Sequence, residues 1–148
     1  MIAIKKISAI ELYPIRHAIL RKGEPFEKCI YPNDGANSTF HFGVYVNGVL
    51  AGVVSVFETK NAAFVDELQF QIRGMAVSEQ YQKKGYGTAL IREVESYLTT
   101  NHTHYTLWFN ARIIAVGFYE KMGFNKFGEL FEIDPIGMHY IMNKKTGV

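Results

Sequence analysis

"ELQFQIRGMAVSEQYQKKGYGTALIREVESYL", Glu67 to Leu98, changes its hydrophobic period part-way along. The first part alternates Leu68, Phe70 and Ile72 with Glu67, Gln69, Gln71 and Arg73, which predicts a strand with one buried face. Gly74 marks a bulge or a close backbone approach. The last part sets Leu90, Ile91, Val94, Tyr97 and Leu98 in one stripe at helical spacing. The join between them is a poor helix start. Lys83 and Lys84 stand at the positive end of the helix dipole, where a cation costs roughly 0.3–1 kcal/mol. Gly85 and Gly87 each cost about 0.5–1 kcal/mol relative to alanine. An anion at the turn would remove the penalty, because amide N–H groups converge on a helix N-terminus and glycine lets a ligand approach the backbone.

Toward the N-terminus, "TFHFGVYVNGVLAGVVSVF" reads as a β-hairpin, with Asn47-Gly48 supplying the positive φ angles of a type I′ turn. "IAIKKIS" alternates weakly as a first strand. "AIELYPIRHAILRKG" reads as a helix broken or started near Pro14, with Ile15, Ala18 and Ile19 on one face and Gly23 as its stop. Glu24 to Ser38 reads as a long loop, a common place for function. Toward the C-terminus, "YTLWF" is a buried strand ending at Asn110, and "RIIAVGFYEKMGF" a short helix closed by Gly123. "FGELFEI" and "MHYIMN" are two strands around the Asp134-Pro135-Ile136-Gly137 turn. The expected fold is therefore α/β, with a central mixed, mostly antiparallel sheet in which the strands ending at Val77 and Asn110 run parallel.

The 148 residues, 48% of them hydrophobic, suffice for one domain over 1–148 with a core that needs neither disulfide nor structural metal. Cys29 has no partner for an internal disulfide, which agrees with a cytoplasmic location, and it reads as a packed hydrophobe rather than a nucleophile. No stretch is apolar enough for a signal peptide or a membrane span. A net charge of +2, without a run of more than two basic residues, gives no sign of a nucleic-acid partner.

Among glycine-rich anion loops, a Walker loop needs Gly-x-x-x-x-Gly-Lys-Ser/Thr, which is absent, and a dinucleotide fingerprint needs a small residue where Leu90 stands. What remains is Gln82-Lys83-Lys84-Gly85-Tyr86-Gly87 followed by Thr88. With "RGMAV" before it, an amphipathic helix after it, and then "LWFNARIIAVGFYEKMGF", the chain resembles the GCN5-related N-acetyltransferase (GNAT) family from about Leu68 to Phe124. That family carries Arg/Gln-x-x-Gly-x-Gly/Ala at this junction, an Asn at a strand end, a helix with Phe-Tyr, and a Gly-Phe entering the next strand.

The resemblance implies a sheet with splayed parallel strands flanked by helices. It also implies that the anion is the pyrophosphate of acetyl-coenzyme A, held by backbone N–H groups from Gln82 through Lys83, Lys84, Gly85, Tyr86 and Gly87 to Thr88. The main chain of Met75, Ala76 and Val77 would hold the pantetheine and acetyl group. Asn110 would contact the cofactor arm, with the plain strand-to-helix cap as its alternative, and Phe118 would pack in the core or on the cofactor. Tyr119 would protonate the leaving thiolate; its phenol pKa of about 10 lies near the roughly 8.5 of an alkyl thiol, so the transfer is nearly balanced. Ala115 replaces a polar residue common in the family and removes one side-chain contact to coenzyme A.

The general base stays open. Gln71 stands where some histone-type members carry a glutamate, and it cannot take a proton at neutral pH. The alternatives are a water chain ending at Glu67 or Glu132, with Glu67 placed on the same strand face; His139 acting directly; or no base, for an amine that arrives partly neutral. His41 and His139, on expected strands, also read as structural. Arg73 either clamps a substrate carboxylate or pairs with Glu67 or another surface acid, and Arg112 is equally open; with Gln71 these are the acceptor-side candidates. The expected partner is a small-molecule or protein amine, with no metal, no nucleic acid and no membrane, and a homodimer is common in the family. The rival readings are a non-catalytic acyl-CoA-binding module or sensor and a nucleotide-phosphate binder.

Overall fold

The computed structural model describes residues 1–146. Seven strands and three α-helices alternate as β1 (Ile2–Ile7), α1 (Ala9–Leu20), β2 (Phe40–Val46), β3 (Val49–Glu58), β4 (Gln69–Val77), α2 (Tyr86–Asn101), β5 (Tyr105–Arg112), α3 (Val116–Lys121), β6 (Asn125–Ile133) and β7 (Gly137–Thr146). Single 3₁₀ turns cover Phe26–Cys29, Glu79–Tyr81 and Ile113–Ala115. Pairing is antiparallel in β1–β2, β2–β3, β5–β7 and β6–β7 and parallel in β4–β5, the mixed, mostly antiparallel arrangement expected. The chain divides into two compact units, Met1–Glu58 with Ile72–Asn101, and Thr59–Gln71 with the chain from His102 on.

In the first unit the strand order is β1-β2-β3-β4. The stripe expected on α2 packs on β2 and β3, with Leu90, Ile91, Val94 and Leu98 buried and Tyr97 half-buried against Phe40 and Phe42. Helix α1 packs on β3 around a cluster of Ile7, Leu12, Ile15, Val53 and Ala76. Asn47 and Gly48 have φ of 49° and 83°, so the hairpin turns as its sequence predicts.

Pro14 neither starts nor breaks α1. The helix is fixed earlier by a capping box that the sequence reading passed over: Glu11 N donates to Ser8 Oγ (3.4 Å) and Ser8 N to Glu11 Oε1 (3.0 Å). Proline at the sixth position then forfeits only one backbone bond, to the carbonyl of the exposed Ile10. The buried residues of the helix are Leu12, Ile15 and, unexpectedly, Arg16.

In the second unit the strand order is β4-β5-β7-β6, with β4 and β5 paired over Gln69↔Thr106, Phe70↔Leu107 and Gln71↔Trp108. Helix α3 lies on β6 and β7 and ends at Gly123 (φ 96°), as expected. Two placements differ from the alternation. Gln69 is buried, because its carboxamide accepts from Asn61 N (2.7 Å) and donates to Asp66 O (2.9 Å) and Phe64 O (3.3 Å), pinning the loop before β4. Glu67 lies in that loop rather than on the strand; its side chain is 93% exposed and its carboxylate pairs with Lys60 at 2.9 Å. Strand β5 continues two residues past Asn110, which pairs with Ile141 inside the ladder and so caps nothing.

Among the described residues no helix is long and apolar enough to cross a membrane, and no group of three or more His, Cys, Asp or Glu is placed to hold a metal ion.

Candidate active site

The turn between β4 and α2 belongs to the first unit and has a backbone geometry that can receive an anion. Lys83 and Gly85 both have positive φ, 62° and 86°, and α2 begins only at Tyr86. The two lysines therefore precede the helix rather than occupying its first turn, and left-handed residues at alternate positions curve the backbone into a concave nest of N–H groups. The first helical bond is Ala89 N to Gly85 O (3.1 Å), so the N–H groups of Tyr86, Gly87 and Thr88 have no acceptor in the helix. No acidic residue lies in that first turn, and none of the ion pairs among the described residues includes Lys83 or Lys84. Beside Gly85 the space is open: a Cβ there would meet nothing within 4 Å.

The nest is braced. Gln82, which the sequence reading assigned only a backbone role, donates its Nε2 to Val77 O (2.9 Å) and ties the turn to the end of β4. Ser78 N donates to Ala51 O (2.8 Å), and a Cβ on Gly52 would stand 3.2 Å from the Ala76 carbonyl, so β3 lies hard against Met75–Val77. The Met75 methyl lies 3.6 Å from where a Cβ on Gly87 would stand, bringing the donor segment and the helix start together. A cleft of about 470 Å³ opens beside the nest, lined by Ala18, Ile19 and Lys22 of the α1 end and by Glu79, Gln82 and Lys83.

In the second unit Tyr119 projects from α3 with its ring 4.5 Å from Phe109 and 6.3 Å from Phe124. Burial pushes its phenol above the ordinary value of 10.0, so the hydroxyl carries its proton throughout the neutral range. No hydrogen bond to that hydroxyl is found among the described residues. Phe118 is not core: it is 44% exposed, edge-on to Tyr119 at 5.1 Å. Asn110 and Arg112 are exposed on β5. His139 is buried opposite Arg112, and its Nδ1 donates to Gly137 O (2.7 Å), so that nitrogen is unavailable as a base. Glu132 is exposed on β6.

The profile of the Acetyltransferase (GNAT) family matches residues 9–124. This chain belongs to the GNAT family. It is similar to the uncharacterized N-acetyltransferase YitI of Bacillus subtilis (strain 168), 35% identical over 144 residues that cover 97% of this chain and 96% of the relative. Its fold is similar to that of the Escherichia coli ribosomal-protein-S18-alanine N-acetyltransferase, with a TM-score of 0.75 at 19% identity over 100% and 96% of the two chains. A further neighbour is Arabidopsis thaliana NAA60, solved in complex with acetyl-CoA, with a TM-score of 0.72 at 17% identity over 98% of each chain.

One constellation of this GNAT chain escaped the sequence reading. Arg16 is fully buried in the first unit; its Nη1 donates to Asp34 Oδ2 and to Cys29 O (both 2.7 Å), and its Nη2 to Ser55 Oγ (2.7 Å) and Asp34 Oδ1 (3.2 Å). Asp34 Oδ2 also accepts from Tyr31 N (2.8 Å) and the Tyr13 hydroxyl (3.0 Å). His41 closes the network. Its Nε2 meets the Asp34 carbonyl at 3.0 Å, which can only accept, so Nδ1 takes the Ser55 hydroxyl proton at 2.7 Å. Burial holds the His41 pKa below its ordinary value and keeps this neutral tautomer. Gly74 (φ 62°) is the close approach its sequence suggested: a Cβ there would lie 3.1 Å from Arg16 Nε. Cys29 is buried, and burial raises its thiol pKa, in keeping with a packed residue. The sequence signal was an arginine one turn after Leu12 on an apolar helix face, followed by an aspartate in a Pro-Asn-Asp-Gly turn.

Proposed function

We propose that this GNAT protein transfers the acetyl group of acetyl-CoA to a primary amine of a small molecule or protein in the cytoplasm. The observation that carries this reading is the anion nest at Lys83–Thr88, with two unpaired lysines and an acid-free helix start. Its donor set, several N–H groups and two ammonium groups around an open space, matches the two phosphate charges of a pyrophosphate. The acetyl-CoA complex of a neighbour with the same fold supports the choice of ligand. Bound acetyl-CoA supplies a thioester: the amine lone pair adds to its carbonyl, an amide C–N bond forms, the C–S bond breaks, the thiolate takes one proton and the nitrogen loses one.

The chain's own groups then divide the work. Backbone N–H groups of Met75–Val77 hold the thioester end and polarise its carbonyl. Tyr119 gives its proton to the departing sulfur. The nitrogen proton leaves to solvent, to a water chain ending at Glu67 or Glu132, or to His139, whose Nδ1–H bond to the Gly137 carbonyl leaves Nε2 carrying the lone pair. Gln71 remains on the acceptor side as a hydrogen-bonding group, with Arg112 as a further candidate.

Thiol release from acetyl-CoA, measured over a panel of primary amines, tests the reading; turnover with one class of amine is the expected result. Tight coenzyme A binding without turnover on any amine would instead identify an acyl-CoA sensor. Stabilisation against heat by ATP or NAD rather than coenzyme A would identify a nucleotide-phosphate binder. Lys84→Glu is expected to weaken coenzyme A binding about tenfold, or about 1.4 kcal/mol, by calorimetry, with an unchanged circular dichroism spectrum. Unchanged affinity would assign the pyrophosphate to backbone amides alone.

A further inference from the structure

Three guanidinium groups of the first unit gather on one ring. The Cζ of Arg16 lies 3.9 Å from the Tyr31 centroid, that of Arg73 4.6 Å and that of Arg21 5.6 Å. The carboxylate of this cluster, Asp34, has both oxygens engaged with Arg16 and one also with Tyr13 and the Tyr31 amide. None of the ion pairs among the described residues includes Arg73 or Arg21. The aromatic face attracts each cation but supplies no counter-charge for Arg73 or Arg21.

The platform is rigid where the unpaired cation rests on it. Tyr31 is 8% exposed, its amide is fixed by Asp34 and its ring by Arg16. Arg73 is exposed and lies over this ring and, at 5.6 Å, over Phe57. A stacked guanidinium keeps its N–H edge free, and that planar fork matches the two coplanar oxygens of a carboxylate. Arg21 contributes charge but not a second free fork, because its Nη1 donates to Leu20 O (3.1 Å). Arg73 precedes Met75 by two residues, about 7 Å of strand, so one small molecule can span both.

We propose that the acceptor is an amine bearing a carboxylate, which Arg73 grips by its fork while the amine is presented at Met75–Val77. This rests on the acetyl-transfer reading. The carboxylate can belong to a free amino acid or to an acidic residue beside a peptide's N-terminal amine. The test compares matched acceptors: 4-aminobutyrate against 4-aminobutanamide, and peptide amides beginning Ala-Asp against Ala-Asn. Each is assayed for turnover and, by calorimetry, for binding to the protein saturated with coenzyme A.

The wild type is expected to favour the acid of at least one pair tenfold or more in KM and in binding, and the favoured pair identifies the source. Arg73→Gln brings that ratio near one, and Arg73→Lys, which keeps the charge without the fork, falls between; coenzyme A affinity reports the fold of each variant. Equal handling of acid and amide in both pairs, or a ratio unaltered by Arg73→Gln, overturns the proposal. Binding preference for the acid without any turnover sinks acetyl transfer and leaves the Arg73 site standing. Turnover without preference does the reverse.

Discussion

Asp34→Ala is expected to lower the unfolding free energy by about 3–5 kcal/mol, because it strands the Arg16 guanidinium, buried at 0% exposure, without its counter-charge. Urea titration should move the midpoint accordingly while leaving the slope unchanged. The loss exceeds that of an ordinary polar truncation because four donors from Arg16, Tyr13 and Tyr31 converge on this carboxylate, and all four lose their acceptor together. A double replacement, Arg16→Met with Asp34→Leu, removes both charges and should recover part of the loss, since a buried pair is worth little over apolar residues of similar volume. A loss below about 1 kcal/mol in Asp34→Ala would mean that the 21–39 loop is held by its apolar contacts.

The same network fixes a pH dependence. His41 is neutral in the fold and its pKa is held below the ordinary 6.5, so the unfolded chain takes up the proton first as pH falls. Its contribution is complete above about pH 6.5 and drains away below it, until the folded pKa is passed. His41→Gln should flatten that part of the stability profile in denaturation curves measured between about pH 7 and pH 5.

Tyr119→Phe should lower kcat for acetyl transfer by roughly 10²- to 10³-fold, the usual range for losing a positioned general acid. Acetyl-CoA affinity should change little, because the pyrophosphate turn lies elsewhere in the chain and the phenol acts on the leaving sulfur. The ring stays packed on Phe109 and Phe124 without its oxygen, so stability is a poor explanation for a lost rate. Burial raises the Tyr119 pKa, which places the alkaline fall in wild-type kcat above pH 10 and removes that limb in the variant. A kcat within threefold of wild type would show that solvent protonates the thiolate.

Legibility followed the range of the interactions. The strand-to-helix change of period before Leu98, the Asn47-Gly48 turn and the stop at Gly123 are set by neighbours in sequence, and all three read correctly apart from the strand's start at Gln69 rather than Glu67. Ser8-x-x-Glu11 was equally local and was passed over in favour of Pro14, whose reputation as a breaker does not apply when a single backbone bond is lost near an exposed turn. Gln69 and Arg16 were hidden for another reason. Each is a polar residue whose partners lie off its own element, in the irregular loop just before the strand for Gln69 (Asn61 to Asp66) and in Cys29 to Ser55 for Arg16, so no periodicity rule marks them as interior. The glycine-rich turn ahead of the helix was therefore readable as a turn, whereas the platform beneath Arg73 emerged only from the fold.

That contrast separates two heritable traits. Residues Met75 to Thr88 form one continuous run, so the donor contacts proposed for them are inherited as a single short stretch. The Tyr31 platform instead draws on Arg16, Arg21 and Arg73 from a helix, a loop and a strand. Substitutions between Arg21 and Tyr31 can therefore retune what docks on Arg73 without a change in the donor run. Diversification of acceptors among close relatives is predicted to concentrate in that loop while the donor stretch stays fixed.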